Sequence, residues 1–180
     1  MILAAALTGV MRVILEPNAN PGMANKAVGP FAQRVFLAFE SAADAFNRSK
    51  VRVVGTPIRK AFLESIHQSR EKSGPFHLLI FGGSQGAKAV NTAVMEGLPE
   101  LMTQLPHLTV THQTGESDLA RVGEAYRRAG IESQVVPFIY DMPTALRRAD
   151  LVVARAGAMT VAELTACGKP AILIPLPSAI

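Results

Sequence analysis

From residue 76 on, short apolar runs alternate with segments of helical spacing, and this alternation restricts the fold more than any other feature of the chain. FHLLIFG, LTVTHQTG, SQVVPFI, LVVARAG and PAILIPL read as strands. SQGAKAVNTAVMEGLPELMTQL, SDLARVGEAYRRAG, DMPTALRRAD and AMTVAELTACG, which lie between them, read as helices. In the first helix Ala89, Val90, Ala93, Val94, Leu98 and Leu101 recur as one apolar stripe. Ser117 is expected to cap the second helix and Gly130 to close it, and Asp141 stands where a cap would precede the third. Strands joined by helices of this length form right-handed βαβ units, so the expected fold class is α/β with a parallel sheet covered on both faces.

Residues 1–52 follow a different pattern. RVILE and RVFLAFESA are strand candidates on either side of the turn-rich PNANPGMAN, and VRVVGTPIR runs from a strand into a turn. The opening MILAAALTGVM reads as a buried helix: it is shorter than the roughly 20 apolar residues of a spanning helix and lacks a basic leader or cleavage site. The organisation expected is a first unit over 1–52, a junction over 53–75 that includes the polar REKSGP, and a second unit over 76–180. Both ends fall inside hydrophobic elements, so the chain reads as a piece of a longer protein.

Composition narrows the chemistry. The chain is 49% hydrophobic over 180 residues, enough for a sizeable core. Its net charge of +4 comes from scattered lysines and arginines, which suits an anionic ligand or membrane surface. With two tyrosines, no tryptophan and no basic block, nothing points to nucleic acid. The single cysteine, Cys167, permits no disulfide and has no histidine beside it in LTACGKP, so a buried, reduced thiol is expected. His67, His77 and His107 lack metal-ligand spacing, and no metal is expected.

In an open parallel sheet, ligands bind beyond the C-terminal strand ends. Four segments fall at such ends. In GGSQG, Gly82, Gly83 and Gly86 allow a sharp turn and a helix start near Gln85 would offer free N–H groups to a phosphate, with Ser84 adding a hydroxyl; the alternative is a tight turn without a ligand. In ARAGAMTVAEL, the small Ala158, with Met159 and Thr160, opens a helix and Glu163 could accept two sugar hydroxyls; the alternative pairs Glu163 with Thr160 in a capping box. Arg59 in VVGTPIR could clamp a diphosphate or lie solvated on the surface. Glu16 and Asn18 in LEPNANPG could face a ligand, or form an Asx turn with a surface carboxylate. His112 could touch a ligand or be structural. The spacing is neither Walker A nor G-x-G-x-x-G, and no acidic residue follows about 20 positions later, which argues against a dinucleotide-dependent oxidoreductase.

EPNANPGMANK, VVGTPIR, LLIFGGSQGAKAVN, HQTG, VPFIYDM, ADLVVARAGAMTVAEL and GKPAILIPLP, in this order, resemble the bacterial undecaprenyldiphospho-muramoylpentapeptide N-acetylglucosaminyltransferases of peptidoglycan synthesis, in glycosyltransferase family 28. The resemblance spans essentially the whole chain. It implies a GT-B fold of two Rossmann-like domains, with residues 1–52 ending the acceptor domain and 76–180 forming an incomplete nucleotide-sugar domain. It implies an inverting transfer of N-acetylglucosamine from UDP-N-acetylglucosamine to the C4 hydroxyl of the muramoyl sugar of lipid I, giving lipid II, with no metal or other cofactor. The enzyme would sit peripherally on the cytoplasmic face of the inner membrane, with no nucleic-acid partner. By motif position, Ser84 would contact the diphosphate with Arg59 near it, the Ile139 backbone would hold the uracil, Ala158, Met159 and Thr160 would line the phosphate end, Glu163 would bind the ribose and Asn18 would face the cleft. Leu15 stands where the family has a histidine, and the expected base and part of the sugar pocket fall outside these residues. The chain alone is therefore expected to be inactive. A non-catalytic UDP-binding module, or a GT-B transferase using another nucleotide sugar, are the alternatives.

Overall fold

The computed structural model describes residues 2–66, 74–83 and 86–176. The chain divides into two compact units, 1–57 and 58–179. Each has its own parallel sheet, the α/β class expected from the strand–helix alternation.

The first unit carries α1 (Ile2–Leu7), β1 (Val13–Glu16), α2 (Met23–Val28), β2 (Arg34–Leu37) and β3 (Val51–Val53). Its three strands lie in the order β1-β2-β3, with Ile14 opposite Val35 and Leu37 opposite Val53. Strand alternation sends Ile14, Val35 and Leu37 into a small core with Ala32, Ala42 and Ala43. Among the described side chains of the expected buried N-terminal helix none is buried: Leu7 is exposed and Ile2 only leans on this core. A single short apolar turn cannot cover itself on all sides.

The second unit carries α3 (Lys60–Ile66), β4 (His77–Phe81), α4 (Lys88–Gln104), β5 (Thr109–Gln113), α5 (Leu119–Ala129), β6 (Glu132–Val136), α6 (Met142–Arg148), β7 (Leu151–Arg155), α7 (Ala158–Ala166) and β8 (Ala171–Ile174). The sheet order is β6-β5-β4-β7-β8, all parallel. Central β4 is covered on both faces, which is why LLIF, residues 78–81, reads as a continuous apolar run. Leu78 and Ile80 pack with Val90 and Leu98 of α4 and Val122 and Tyr126 of α5. Leu79 and Phe81 turn the other way, towards Phe62 of α3, Leu146 of α6 and Leu164 of α7. The path therefore changes direction between β4 and β7, and a crevice opens beyond their C-terminal ends.

Helix boundaries differ from expectation at two places. Helix α4 begins at Lys88, not near Gln85, because Gly86 takes a positive φ of +75° that prolongs the turn. Ser117 does not cap α5: it lies in a 3₁₀ turn over Glu116–Asp118, and Asp118 occupies the cap position. Gly130 closes α5 in the left-handed conformation, and Asp141 caps α6 by accepting from the Thr144 N–H, both as expected. Cys167 is half-buried at the rim of the core, since it follows α7 and does not lie within it. Among the described residues no helix is long and apolar enough to cross a membrane.

Candidate functional site

In the turn after β4, Gly82 and Gly86 are glycines because nothing larger fits, and Gly83 because its φ is +98°. A Cβ on Gly86 would lie 2.0 Å from the Thr114 carbonyl oxygen, and one on Gly82 would lie 2.4 Å from the Ala87 nitrogen. Gly86 also needs its positive φ, which L side chains resist. The Gly86 N–H donates to the Gly83 carbonyl at 2.9 Å, closing the turn. Gln113, the last residue of β5, donates from Nε2 to the Gly83 carbonyl at 2.6 Å and to the Pro137 carbonyl at 3.3 Å. One buried amide thus ties the glycine turn to the loop after β6.

These loops border a cavity of about 200 Å³ lined by Arg59, Phe81, Gly83, Gln113, Phe138, Ile139, Tyr140, Met142, Thr160 and Glu163. Glu163 lies on α7 with its side chain 16% exposed, and Arg59 Nη2 approaches its Oε1 at 3.6 Å. Burial raises the Glu163 carboxyl above its ordinary value, and the Arg59 charge only partly opposes this. The guanidinium also lies over the Phe62 ring, 4.8 Å from its centroid. Phe138 and Tyr140 meet edge to face at 5.0 Å, and Tyr140 is largely exposed. The cavity therefore offers a desolvated carboxylate, a cation on a flexible stem and aromatic surface within one crevice. Larger hollows, of about 440 and 510 Å³, open around the N-terminal strand ends. The chemistry favours the smaller one, where the loops converge at the switch in strand order.

Of the residues singled out in the sequence, Arg59, Gly83, Ile139, Thr160 and Glu163 come together at this cavity. Ile139 packs its side chain against the core. Ala158 and Met159 occupy the first turn of α7, with Met159 exposed, and do not line the cavity. Ser84 lies outside the described residues. Thr160 is two residues past the start of α7, whose cap position is Gly157, so the capping-box alternative for Glu163 does not form. Arg59 stays on the surface, as in the surface-arginine alternative, with its side chain 62% exposed, while its guanidinium also lies over Phe62 and near Glu163. His112 is fully buried, bonded to Tyr126 and Asn91, and is structural. Sequence reasoning missed Gln113, Phe138 and Tyr140. Their positions in HQTG and VPFIYDM, immediately at and after strand ends, carried the signal.

In the first unit Asn18 stands just past β1, held by Glu16. Glu16 is buried, not the surface carboxylate of the Asx-turn alternative. Its Oε1 accepts from the Asn18 N–H and Nδ2 at 2.9 Å each, and its Oε2 from the Gly22 N–H and Asn25 Nδ2 at 3.0 Å each. Burial alone would push the carboxyl up, but these donors hold it below its ordinary value. Leu15 is 42% exposed, on the strand face opposite Glu16.

The profile of the glycosyltransferase family 28 C-terminal domain matches residues 77–180. The UDP-N-acetylglucosamine–N-acetylmuramyl-(pentapeptide) pyrophosphoryl-undecaprenol N-acetylglucosamine transferase of Citrifermentans bemidjiense is 47% identical over 99% of this chain and 50% of its own length. The enzyme of the same name from Syntrophotalea carbinolica is 49% identical over 99% of this chain and 49% of its own. Among solved structures, Acinetobacter baumannii MurG matches 99% of this chain and 50% of its own, with TM-score 0.72 and 36% identity. The chain thus spans about half the length of the relatives it matches.

Proposed function

Because the chain belongs to glycosyltransferase family 28, we propose that its second unit is the nucleotide-sugar-binding part of a GT-B N-acetylglucosaminyltransferase that uses UDP-N-acetylglucosamine. The observation that carries this reading is the meeting of Glu163 and Arg59 at a crevice bounded by the glycine turn. A ribose presents two vicinal hydroxyls, and a carboxylate accepts both. Glu163 must exchange its Arg59 partner for those hydroxyls. The released guanidinium, on its flexible stem, is then free to reach the diphosphate. The cavity is smaller than the roughly 300–1,000 Å³ of a typical small-molecule site. It suits the nucleoside, with the phosphates along Gly82, Gly83 and Gly86, Ser84 contributing its hydroxyl, and the α7 N-terminus with Ala158, Met159 and Thr160 on the other side. The Ile139 backbone borders the place of the uracil.

The whole protein, on this reading, transfers N-acetylglucosamine to lipid I to form lipid II and works peripherally at the cytoplasmic face of the bacterial inner membrane. Residues 1–52 then end the acceptor domain, 53–75 form the junction, and Asn18 faces the acceptor. The names of the relatives, which specify a pyrophosphoryl-undecaprenol acceptor, support this assignment. Developing charge on the departing UDP would be met by backbone donors at the glycine turn and by Arg59.

Calorimetric titration of the 180-residue chain with UDP, and with ADP as control, tests the reading. Selective UDP binding is expected. A folded chain that binds neither nucleotide, or both equally, would refute it.

A further inference from the structure

Helix α4 follows the glycine turn, and its fourth residue, Asn91, is buried. The Asn91 Nδ2 donates to the Thr114 carbonyl at 3.0 Å and to Asp118 Oδ2 at 2.9 Å. Both partners only accept, so the amide has one orientation: Nδ2 towards them and Oδ1 towards His112 Nε2, 3.0 Å away. Nε2 must therefore carry the imidazole hydrogen. Nδ1 is then the lone-pair nitrogen and accepts from the Tyr126 hydroxyl at 2.9 Å. Burial pushes His112 down to about 4, so this neutral tautomer is the one present at pH 7. Every polar hydrogen along Tyr126, His112 and Asn91 has one place to go.

The far end of this relay is the Thr114 carbonyl, against which Gly86 rests so closely that a Cβ would lie 2.0 Å from it. The preceding residue, Gln113, holds the Gly83 carbonyl. The exit of β5 thus grips the glycine turn at both ends, and Asn91 anchors that exit to α4. His112 and Asn91 are buried and do not line the cavity.

We propose that Asn91, oriented by His112, is a positioning residue that sets the height of the glycine turn and thereby its competence to hold a diphosphate. The second half of this statement rests on the nucleotide reading above; the first does not.

The test uses His112→Leu, which removes the donor to Asn91, and His112→Gln, whose amide restores it. Amide hydrogen exchange without nucleotide is read at Gly86, with Ile80 in β4 reporting global opening. His112→Leu is expected to speed Gly86 exchange about tenfold while Ile80 stays within about twofold, and His112→Gln to return Gly86 near the wild-type rate. UDP affinity should fall about tenfold in His112→Leu, with uridine affinity within about twofold. Unchanged Gly86 exchange, or Gly86 and Ile80 rising together, overturns the positioning role. If His112→Leu does not fold, Tyr126→Phe applies the same test, with an expected rise of about threefold at Gly86 and the same overturning results. A wild-type chain that binds UDP no better than uridine would count against the diphosphate reading, while the exchange data would still decide the relay.

Discussion

Acidification from pH 7 to pH 5 should weaken the second unit through His112 alone among the groups of its buried network. The folded value of about 4 lies below the ordinary 6.5 because burial disfavours the imidazolium; the Asp118 charge pulls the other way without overcoming it. The unfolded chain therefore takes up this proton first as pH falls. The stabilisation is fully present above about 6.5 and is lost progressively as pH falls towards 4. The gap corresponds to about 3 kcal/mol in all, of which about 2 kcal/mol disappears between pH 7 and pH 5. Asp118 is held low by Arg121 and then Asn91, so its contribution is lost only below the ordinary aspartate range. Tyr126, raised by burial, does not titrate here. Glu163, raised by burial, acts with the opposite sign near the bottom of the window, which makes the variant control necessary. Urea unfolding followed by near-ultraviolet dichroism suits the assay, since both tyrosines, Tyr126 and Tyr140, belong to the second unit. Wild type should lose about 2 kcal/mol more than His112→Gln over this interval. Parallel losses in the two proteins would refute the reasoning.

Glu163→Gln should weaken UDP binding by about 1–3 kcal/mol, measured calorimetrically, because an amide cannot accept two hydroxyls with a charge. Arg59→Ala should lower the affinity for UDP about tenfold and leave uridine nearly unaffected; equal losses would remove Arg59 from the phosphate end. Gly86→Ala places a methyl against the Thr114 carbonyl and should cost about 3 kcal/mol or more, seen as a lowered melting temperature. Glu16→Gln turns an acceptor towards four donors into a half-donor, and should destabilise the first unit by about 1–3 kcal/mol in urea unfolding.

Much of this molecule follows from local pattern. The β4 run HLLIF, the α4 stripe from Val90 to Leu101 and the closing Gly130 declare themselves because strand alternation, helical spacing and positive φ act over a few residues. The order of motifs carried the family resemblance, and Arg59 and Glu163 with it. Other features depend on what the fold brings alongside. Asp118, not Ser117, takes the α5 cap position because a 3₁₀ turn precedes the helix. Gln113 matters because it reaches the Gly83 and Pro137 carbonyls, 30 and 24 residues away in the chain. Glu16 becomes a buried acceptor only when its loop folds back over it. From sequence, then, came the alternation, the glycine turn and the candidate residues, since each is a property of neighbours in the chain. Tertiary structure decided which nitrogen of His112 carries the hydrogen, which way Asn91 points and which partner Glu163 holds, because hydrogen bonding and desolvation depend on groups that only folding brings within about 3 Å of each other.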